Sequence, residues 1–335
     1  MGKSVVFIGP NGFRDRRLLR SMIPEKIELH FVKKQSPPYP DCVEKAAVVV
    51  NGRPDSEFYE KAVSMKVHVI PFAGVQHVTE KFGSVIEKCG ITLLNAHWNR
   101  YFVSQHAVAL LLAISNRIIS QHEKLKKGVW RVFKDDDPSI PIRKKRIGLL
   151  GYGNINRGVH KILSAFEAEF SILKNSWTET QKKELDASLH TPETVNSFLN
   201  ESDIIVVAVP VTPATRGLLH KKRLELLGSE GILINVARGE IIPEADLFYA
   251  LRDKKIKAAA IDVWYDYNPL PDNNGKKYPY SAEHPFHELD NIILSPHRGA
   301  SPLNDSSRWD EVVENILRFF RGEKLSDVVD IKKGY

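Results

Sequence analysis

A glycine turn between a strand and a helix is the first feature of the sequence with recognisable chemistry. The apolar segment 146–150 runs directly into Gly151 and Gly153, and helical spacing follows from Arg157. Glycines at this spacing permit a tight turn and a close backbone approach to a pyrophosphate, whose charge then lies at the positive end of the helix. We therefore predict a dinucleotide site whose backbone contacts come from Gly151, Gly153, Asn154 and Ile155.

The motif departs from the full pattern at one position. Its third glycine, which serves close helix–strand packing, is Asn156 here. A lone glycine turn is often only structural, so the two interpretations compete, and the strand–turn–helix context favours the nucleotide site.

The end of the next predicted strand indicates which dinucleotide binds. A ribose-binding carboxylate is expected about 20 residues after the turn. The residues there are instead Lys174, Asn175 and Ser176, which suit a 2′-phosphate. We predict NADP(H) over NAD(H), with NAD(H) as the alternative if Lys174 is only a solvated strand end.

The elements that position this turn form two βα series. Short apolar segments at 4–8, 47–50, 67–70 and 91–94 alternate with helix-like stretches. A second series of strands is predicted at 146–150, 170–173, 203–209, 231–236, 257–262 and 291–295. One long buried helix is predicted over 101–122 and another helix over 302–321, with a loop near 135–141 and an ordered loop at 268–281. The pattern predicts an α/β fold with two doubly wound parallel-sheet domains.

Length and composition agree with two globular domains. The chain has 335 residues, of which 42% are hydrophobic and 27% charged, so disordered and coiled-coil classes are excluded. The longest apolar run, 107–114, is far shorter than the roughly 18 residues that span a bilayer, and the first residues do not resemble a signal peptide. The two cysteines, Cys42 and Cys89, favour neither a disulfide framework nor a zinc site. We expect a cytoplasmic protein with no membrane partner.

The net charge of +7 makes nucleic acid a candidate partner. The basic residues are spread along the chain, and the one cluster, 143–146, leads straight into an apolar strand. We interpret that cluster as a solvated strand entrance rather than a phosphate-binding patch, and we expect no nucleic-acid partner.

Six ordered motifs give the chain a family resemblance. They are the segments 72–78, 90–95, 209–217, 234–239, 260–264 and 295–299. In this order they resemble the D-isomer-specific 2-hydroxyacid dehydrogenases, a family that includes glyoxylate/hydroxypyruvate reductases and phosphoglycerate dehydrogenases. The resemblance implies a flavodoxin-like substrate domain (1–98 plus 300–335), a Rossmann cofactor domain (99–299) and a cleft between them.

The resemblance also implies the chemistry. Arg238 would bind the substrate carboxylate and polarise the keto oxygen, since a guanidinium matches carboxylate geometry. His297 would be the general acid that protonates the developing alkoxide. The substrate would also contact Asn51, Gly52, Gly74 and Val75. Further cofactor contacts would come from Val209, Pro210, Thr215, Val236, Ala237, Asp262, His297 and Gly299, with Asp262 near the nicotinamide carboxamide.

One catalytic position departs from the family. The glutamate that usually pairs with the histidine is replaced by Tyr267, and Asp266 is its neighbour. A phenol can orient an imidazole but supplies no negative charge to raise its pKa. We predict that Tyr267 orients His297 and that oxo-acid reduction weakens early toward alkaline pH. The rival hypothesis is that a bulge brings Asp266 into the glutamate position.

Other residues have weaker assignments. His284 and His287 lack companion ligands at metal-binding spacing, so we read them as loop or cleft residues and expect no metal. Some large side chains either line the substrate pocket or simply pack, and these are Trp98, Arg100, Tyr101, Trp264, Tyr265 and Phe286.

The sequence thus favours an NAD(P)H-dependent reductase that converts a small 2-oxo acid to a D-2-hydroxy acid. The alternative from another class is a dinucleotide-binding regulatory or scaffold protein of the corepressor type without turnover. Formate oxidation is a weaker third option. The resemblance also implies a homodimer formed through the cofactor domain.

Overall fold

The structure is a computed structural model that describes residues 3–9, 13–33, 36–130, 138–300 and 306–334. The chain divides into two compact units. The first comprises Met1–Asn99 and Pro302–Tyr335, and the second comprises Arg100–Ser301. The predicted domain limits lie within two residues of these, while the assignment of one unit to substrate and the other to cofactor stays a prediction.

The first unit is a five-stranded parallel sheet with helices. Its strands are β1 (Ser4–Ile8), β2 (Glu28–Val32), β3 (Val48–Asn51), β4 (Val67–Ile70) and β5 (Thr92–Asn95). Its helices are α1 (Phe13–Met22), α2 (Asp41–Lys45), α3 (Ser56–Lys61), α4 (Gln76–Lys88) and, from the end of the chain, α12 (Arg308–Arg321). The strand order β2-β1-β3-β4-β5 is the flavodoxin-like order.

Both faces of this sheet are buried. Along β1, Val6 and Ile8 join one apolar cluster, while Val5 and Phe7 join another on the opposite face. Burial on both faces explains why the strand sequence is continuously apolar instead of alternating.

The second unit is a seven-stranded parallel sheet. Its strands are β6 (Arg146–Leu150), β7 (Glu169–Leu173), β8 (Ser188–His190), β9 (Ile204–Val207), β10 (Ile232–Asn235), β11 (Ala258–Ile261) and β12 (Ile292–Leu294). Its helices are α5 (Arg100–Ser115), α6 (Ile118–Lys126), α7 (Asn154–Leu163), α8 (Glu179–Glu184), α9 (Val195–Glu201), α10 (Lys221–Leu226) and α11 (Glu244–Arg252).

The order of this sheet is β12-β11-β10-β9-β6-β7-β8. Successive strands therefore run outward from β6 on both sides, as in a Rossmann fold, and the direction reverses between β6 and β9. In such sheets ligands bind outside the carboxyl ends of the strands at this switch point. The predicted fold class, α/β with two parallel sheets, is confirmed.

The predicted single helix over 101–122 is wrong. Helix α5 ends at Ser115, Arg117 adopts a left-handed conformation with φ of 57°, and α6 begins at Ile118, bent by 59° from α5. The hydroxyl of Ser115 and the amide of Asn116 donate to the carbonyls four residues earlier, and such side-chain hydrogen bonds compete with helix continuation. Helix α6 has no buried residues, contrary to the prediction.

The two strands that the sequence analysis missed, β2 and β8, lie at sheet edges. Residues of β2 are half-buried or exposed, so its apolar pattern is weak, and β8 has three residues. The helix predicted from 302 is α12, which begins at Arg308, and residues 302–305 lie outside the described part of the chain. Part of the loop predicted at 135–141 also lies outside it.

The basic cluster 143–146, predicted as a solvated strand entrance, forms ion pairs at the start of β6. Arg143 contacts Glu167 at 2.6 Å, and Lys145 contacts Asp203 at 3.2 Å. Arg146, the first residue of β6, contacts Glu169 at 3.1 Å. Acidic neighbours therefore offset much of the local positive charge.

The described helices bear on membrane association through their length and hydropathy. None of them is individually long and apolar enough to cross a membrane, although the bent pair α5 and α6 meets both criteria when taken together.

Candidate active site

The glycine turn follows β6 at the switch point of the second unit. Gly151 has φ of 86°, and a Cβ there would lie 2.7 Å from the carbonyl oxygen of Ala208, so only glycine fits. A Cβ on Gly153 would meet open space, and the N-terminus of α7 has no side-chain cap. The open backbone and the positive helix end fit a pyrophosphate group, so these residues could hold a dinucleotide.

Asn156 replaces the third glycine without opening the turn. It is fully buried, and its Nδ2 donates to the carbonyl of Gly151 at 2.7 Å and to those of Leu150 and Val206 at 3.2 Å each. The asparagine thus joins β6, the turn and β9. The close helix contact occurs two residues later, where a Cβ on Gly158 would lie 2.4 Å from the hydroxyl oxygen of Ser104 in α5.

Lys174 stands directly after β7, where the ribose-binding residue is expected. Its Nζ donates to the Oε1 of Gln181 at 2.9 Å and lies 5.2 Å from the ring centre of Trp177. Asn175 and Ser176 follow with exposed side chains. These residues place a cation and two polar groups beyond the strand, where the sequence contains no carboxylate.

The loop after β9 is held by its own side chains. Val209 lies against the glycine turn, since a Cβ on Gly151 would approach its Cγ1 to 2.6 Å. The hydroxyl of Thr215 donates to the carbonyl of Pro210 at 2.7 Å and accepts from the backbone N–H of Thr212 at 2.8 Å. Thr215 therefore acts first as a loop clasp, and its cofactor contact stays a prediction.

Arg238 follows β10 after two buried residues, Val236 and Ala237. Asn235 fixes the turn by accepting from the N–H of Ala237 and donating to the carbonyl of Arg238, each at 3.0 Å. The next residue must be glycine, because a Cβ on Gly239 would lie 2.5 Å from the carbonyl oxygen of Trp264. The half-buried guanidinium is thereby held on a short, tightly packed turn.

His297 lies in the histidine loop, residues 295–299, which follows β12. Its φ of 54° is left-handed, a strained conformation for a histidine. Asp262 holds the loop on both sides of it, because its carboxylate accepts from the Ser295 hydroxyl at 2.5 Å, the Arg298 amide at 2.7 Å and the Gly299 amide at 3.0 Å.

The carboxyl of Asp262 is buried, 2% exposed. Burial acts to raise its pKa, but hydrogen bonds from His106, Ser295 and the two backbone amides outweigh burial and lower the pKa below its usual value. Asp262 is therefore a charged anchor for the loop. The family resemblance implied a nicotinamide contact for it, and that role stays a prediction.

Tyr267 lies beside His297, with ring centres 5.4 Å apart and the rings at 61°. The contact is ring to ring, since the Tyr267 hydroxyl accepts from the Trp264 amide at 3.4 Å. Asp266 points elsewhere: its Oδ1 accepts from the backbone N–H of Asn268 at 2.8 Å. Among the described residues, no carboxylate lies within ion-pairing distance of the imidazole.

The electrostatic surroundings of His297 lower its pKa. Desolvation has the largest effect, the positive charge of Arg238 adds to it, and Asp262 opposes both. For Tyr267, burial raises the pKa, and Arg238 opposes this shift. Arg238 is thus close enough to both Tyr267 and His297 to influence them electrostatically.

Three side chains that were candidates for the pocket belong to the apolar core of the second unit. Trp264 and Phe286 are buried at 3% and 0% exposure, and Tyr265 packs against the same cluster. Tyr101 is exposed. In the first unit, the indole nitrogen of Trp98 donates to the carbonyl of Pro71.

His284 and His287 make local side-chain contacts near the loop at 268–281. His287 stacks on Tyr278 with ring centres 4.1 Å apart, and His284 contacts Glu244 at 3.3 Å. These contacts agree with the predicted ordered loop at 268–281. No group of three possible metal ligands occurs in the described ranges.

Two of the predicted substrate residues of the first unit, Asn51 and Gly52, each accept a hydrogen bond from a histidine. The carbonyl of Asn51 accepts from His68 Nε2 at 2.9 Å, and that of Gly52 accepts from His77 Nε2 at 2.7 Å. His68 is fully buried, which lowers its pKa to about 4 and keeps it neutral.

Gly74 and Val75 lie at the start of α4, which has no side-chain cap. Their backbone amides therefore stand at the positive end of a helix, as a carboxylate-binding role requires.

The fold and the second-unit site define a dinucleotide-binding dehydrogenase class. The model of the D-isomer specific 2-hydroxyacid dehydrogenase NAD binding domain matches residues 108–299. This chain belongs to the D-isomer-specific 2-hydroxyacid dehydrogenase family. The predicted family and enzyme class are confirmed, as is a nicotinamide dinucleotide cofactor.

Individual relatives carry several names. A D-3-phosphoglycerate dehydrogenase of Archaeoglobus fulgidus is 29% identical over 85% of this chain, which spans about half of that protein, 51%. A glyoxylate reductase of Pyrococcus horikoshii is 27% identical over 90% of this chain and 84% of its own length.

Solved structures at low identity share the fold. A D-isomer specific 2-hydroxyacid dehydrogenase from Xanthobacter autotrophicus, in complex with NADPH and MES, has a TM-score of 0.81 at 22% identity, with 100% of both chains covered. A glyoxylate/hydroxypyruvate reductase from Sinorhizobium meliloti, in complex with NADP and malonate, has a TM-score of 0.77 at 21% identity and covers 99% of this chain and 98% of that one.

Sequence reasoning missed three contributors to the site. Asn156, which departs from the glycine pattern, ties the turn together; Gly158 allows a close contact between α7 and α5; and His106 contacts the Asp262–Ser295 pair. The glycine at 158 was visible in the sequence, whereas the contact of His106 joins residues almost 200 positions apart.

Proposed function

We propose that this protein reduces a small 2-oxo acid to the D-2-hydroxy acid with a reduced nicotinamide dinucleotide. The main support is the position of His297 in a loop that the buried carboxylate of Asp262 holds on both sides. The backbone of His297 is left-handed, and Arg238 lies close enough for its guanidinium to lower the pKa of the imidazole. Strained, anchored histidines of this kind concentrate at functional sites.

In this mechanism, Gly151, Gly153 and the N-terminus of α7 would hold a nicotinamide dinucleotide, which would supply the hydride for the keto carbon. Arg238 binds the substrate carboxylate through its planar fork and polarises the keto oxygen. His297 donates a proton to the oxygen as negative charge develops there. Because no carboxylate of the described chain pairs with the imidazole and its pKa is lowered, the protonated form falls off toward alkaline pH.

The substrate class follows from the recognition groups. A 2-oxo acid offers a carboxylate to the guanidinium of Arg238. Within the first unit, the amides of Gly74 and Val75 lie at the positive end of α4, and their substrate role stays a prediction. Relatives named glyoxylate reductase and hydroxyphenylpyruvate reductase support a 2-oxo acid substrate with a small or aromatic side chain.

For the cofactor we propose a preference for NADP(H). Lys174 carries three N–H donors, of which Gln181 accepts one, and Asn175 and Ser176 add polar groups beside it. A 2′-phosphate would be attracted to this cation, whereas a carboxylate that would favour NAD(H) is absent from the end of β7.

We also propose a homodimer formed through α6. This helix has no buried residues, and exposed apolar side chains occur on and just after it, namely Ile118, Ile119, Leu125, Val129 and Trp130. Several exposed apolar side chains on one short segment are typical of an interaction site. Light scattering at micromolar concentration should give twice the chain mass, and a monomer would contradict the proposal.

The cytoplasmic location stays a prediction, to which the two free cysteines of the described chain, Cys42 and Cys89, add support.

The non-catalytic scaffold alternative is less well supported. A scaffold needs neither Arg238 nor the loop that strains His297, and the named relatives are reductases and dehydrogenases. The test is oxidation of NADPH and NADH at 340 nm with a panel of 2-oxo acids. Turnover supports the reductase, while tight cofactor binding without turnover on any acid supports the scaffold.

The role of Arg238 has its own test. Arg238→Gln should raise KM for the oxo acid about 10- to 100-fold because the charged fork is lost, while the dissociation constant of the cofactor changes little.

A further inference from the structure

We propose that His106, on α5, is a positioning residue that holds the histidine loop in the conformation His297 needs. The inference rests on the proposed role of His297 as the general acid. Its basis is a hydrogen-bonded cluster formed by His106, Ser295 and Asp262, all in the second unit.

Every polar group of Ser295 has a hydrogen-bond partner. Its amide donates to the carbonyl of Ile261 at 2.8 Å. Its carbonyl accepts from the indole nitrogen of Trp264 at 2.8 Å and from the amide of His297 at 3.1 Å. Its hydroxyl donates to Asp262. Ser295 is therefore firmly held, two residues before the left-handed backbone of His297.

His106 completes this arrangement from a different element. Its Nε2 lies 3.0 Å from the hydroxyl oxygen of Ser295 and 3.3 Å from Oδ1 of Asp262. Because the Ser295 hydroxyl already donates to Asp262, the imidazole must donate its Nε2 proton. A ring with its proton on Nε2 satisfies this requirement.

His106 also packs against the far end of the loop. A Cβ on Gly299 would lie 3.4 Å from Cδ2 of His106 and 3.0 Å from Oδ2 of Asp262. The imidazole thus reaches both the residue before and the residue after Pro296-His297-Arg298. Helix α5 has 16 residues, with buried residues along its length, so His106 approaches the loop from a well-packed helix.

The consequence concerns the left-handed backbone of His297. That conformation is unfavourable for a residue with a Cβ and persists only where surrounding contacts over-determine it. Without His106, the hydroxyl of Ser295 and the carboxylate of Asp262 each lose a donor, and the loop gains freedom to relax. A displacement of about 1 Å at the acid is enough to lower turnover by up to roughly 100-fold.

The experiment compares His106→Leu, His106→Gln and the control Gln105→Leu. Leucine fills the volume without a donor, glutamine restores a donor near the Nε2 position, and Gln105 is the adjacent, exposed residue of the same helix. We expect kcat to fall about tenfold or more in His106→Leu, with the NADPH dissociation constant within about twofold, substantial recovery in His106→Gln and no change in Gln105→Leu.

A second readout does not depend on activity. The amides of Arg298 and Gly299, which donate to Asp262, should exchange hydrogen with solvent faster in His106→Leu than in the wild type and the glutamine variant. Unchanged kcat or unchanged exchange in His106→Leu overturns the proposal. Equal losses in the leucine and glutamine variants, with equally lowered thermal stability, also overturn it, because they indicate packing alone.

The failure of this inference differs from the failure of the proposed function. If His297→Ala keeps full turnover, the general-acid role itself is wrong. If His297→Ala loses turnover while His106→Leu matches the wild type, only the positioning role is wrong.

Discussion

The glycine turn and the histidine loop both follow strands of the second sheet, and each contains a left-handed residue. In the glycine turn it is Gly151, with φ of 86°, and in the histidine loop it is His297, with φ of 54°. Glycine adopts the left-handed conformation without a steric penalty, whereas the same conformation costs a residue with a Cβ roughly 1–2 kcal/mol.

Hydrogen bonds around His297 offset this steric cost. The histidine loop is held by the buried carboxylate of Asp262, to which a hydroxyl and two backbone amides donate. The glycine turn keeps an open backbone face at Gly153. The glycine turn is specified by the type of its own residue, and the histidine loop is specified by tertiary hydrogen bonds. The turn should therefore be sensitive to substitution of Gly151 itself, and the histidine loop to substitution of Asp262, which lies outside it.

The strongest test of this contrast is Asp262→Asn. The asparagine side chain would turn an N–H group toward one of the backbone amides that Asp262 now accepts from. The histidine loop then loses an acceptor, and the left-handed backbone of His297 is free to relax. We expect kcat to fall about 100-fold or more and the free energy of unfolding to fall by about 1–3 kcal/mol. Steady-state kinetics and urea unfolding measure the two effects.

Asp266→Asn is the matched control for this change. That carboxylate is exposed and accepts from the Asn268 amide, so activity should hold and stability should change by less than about 0.5 kcal/mol. Equal losses in the two variants would contradict the anchor role of Asp262 and revive the bulge hypothesis for Asp266.

The next test concerns the glycine turn. Gly151→Ala should destabilise the protein by about 1–3 kcal/mol, because the new Cβ meets the Ala208 carbonyl at a left-handed φ. Gly153→Ala should leave the free energy of unfolding within about 0.5 kcal/mol yet weaken cofactor binding. Urea unfolding and fluorescence titration with NADPH separate these effects, and equal destabilisation by both variants would count against the comparison.

This contrast also explains what the sequence could predict. The glycine turn, the two sheets and their βα order follow from residue types and local periodicity. The edge strand β2 was missed because its residues are only half-buried, and the break at Arg117 because side-chain hydrogen bonds from Ser115 and Asn116 end the helix.

For the site, the family motifs predicted Arg238 and His297, but their support was not visible. The hydrogen bond between His106 and Ser295 and the anchoring by Asp262 join positions far apart in the chain. No local pattern encodes such contacts. Likewise, the ring contact of Tyr267 with His297 depends on the path of the loop after β11.

A smaller effect tests the cofactor preference at the end of β7. Lys174→Ala should raise KM for NADPH about tenfold through loss of a charge-assisted hydrogen bond and leave KM for NADH within about twofold. Lys182→Ala, which removes an exposed lysine of α8 paired with Glu179, serves as the control. A clear NADH preference in the wild type would refute the assignment of Lys174.

The smallest expected effect is a displacement of the pH profile. Reduction needs protonated His297, so kcat/KM is present below the imidazole pKa and is lost as pH rises through it. Since that pKa is lowered, the loss should begin early. Tyr267→Glu should raise the pKa by roughly one unit and move the alkaline limb upward.

Tyr267→Phe is the control for this change and should leave the limb in place, because the hydroxyl does not contact the imidazole. The profile is measured from pH 5 to 9. A wild-type profile that stays flat past pH 8 would show that the imidazole is charged by another route.

The most direct test of the account is turnover of glyoxylate with NADPH by the wild type and His297→Ala at pH 6. We predict that the variant still binds NADPH and loses roughly 100- to 10,000-fold in kcat, as removal of a general acid requires. Turnover within about twofold of the wild type would contradict the assignment of His297 as the acid.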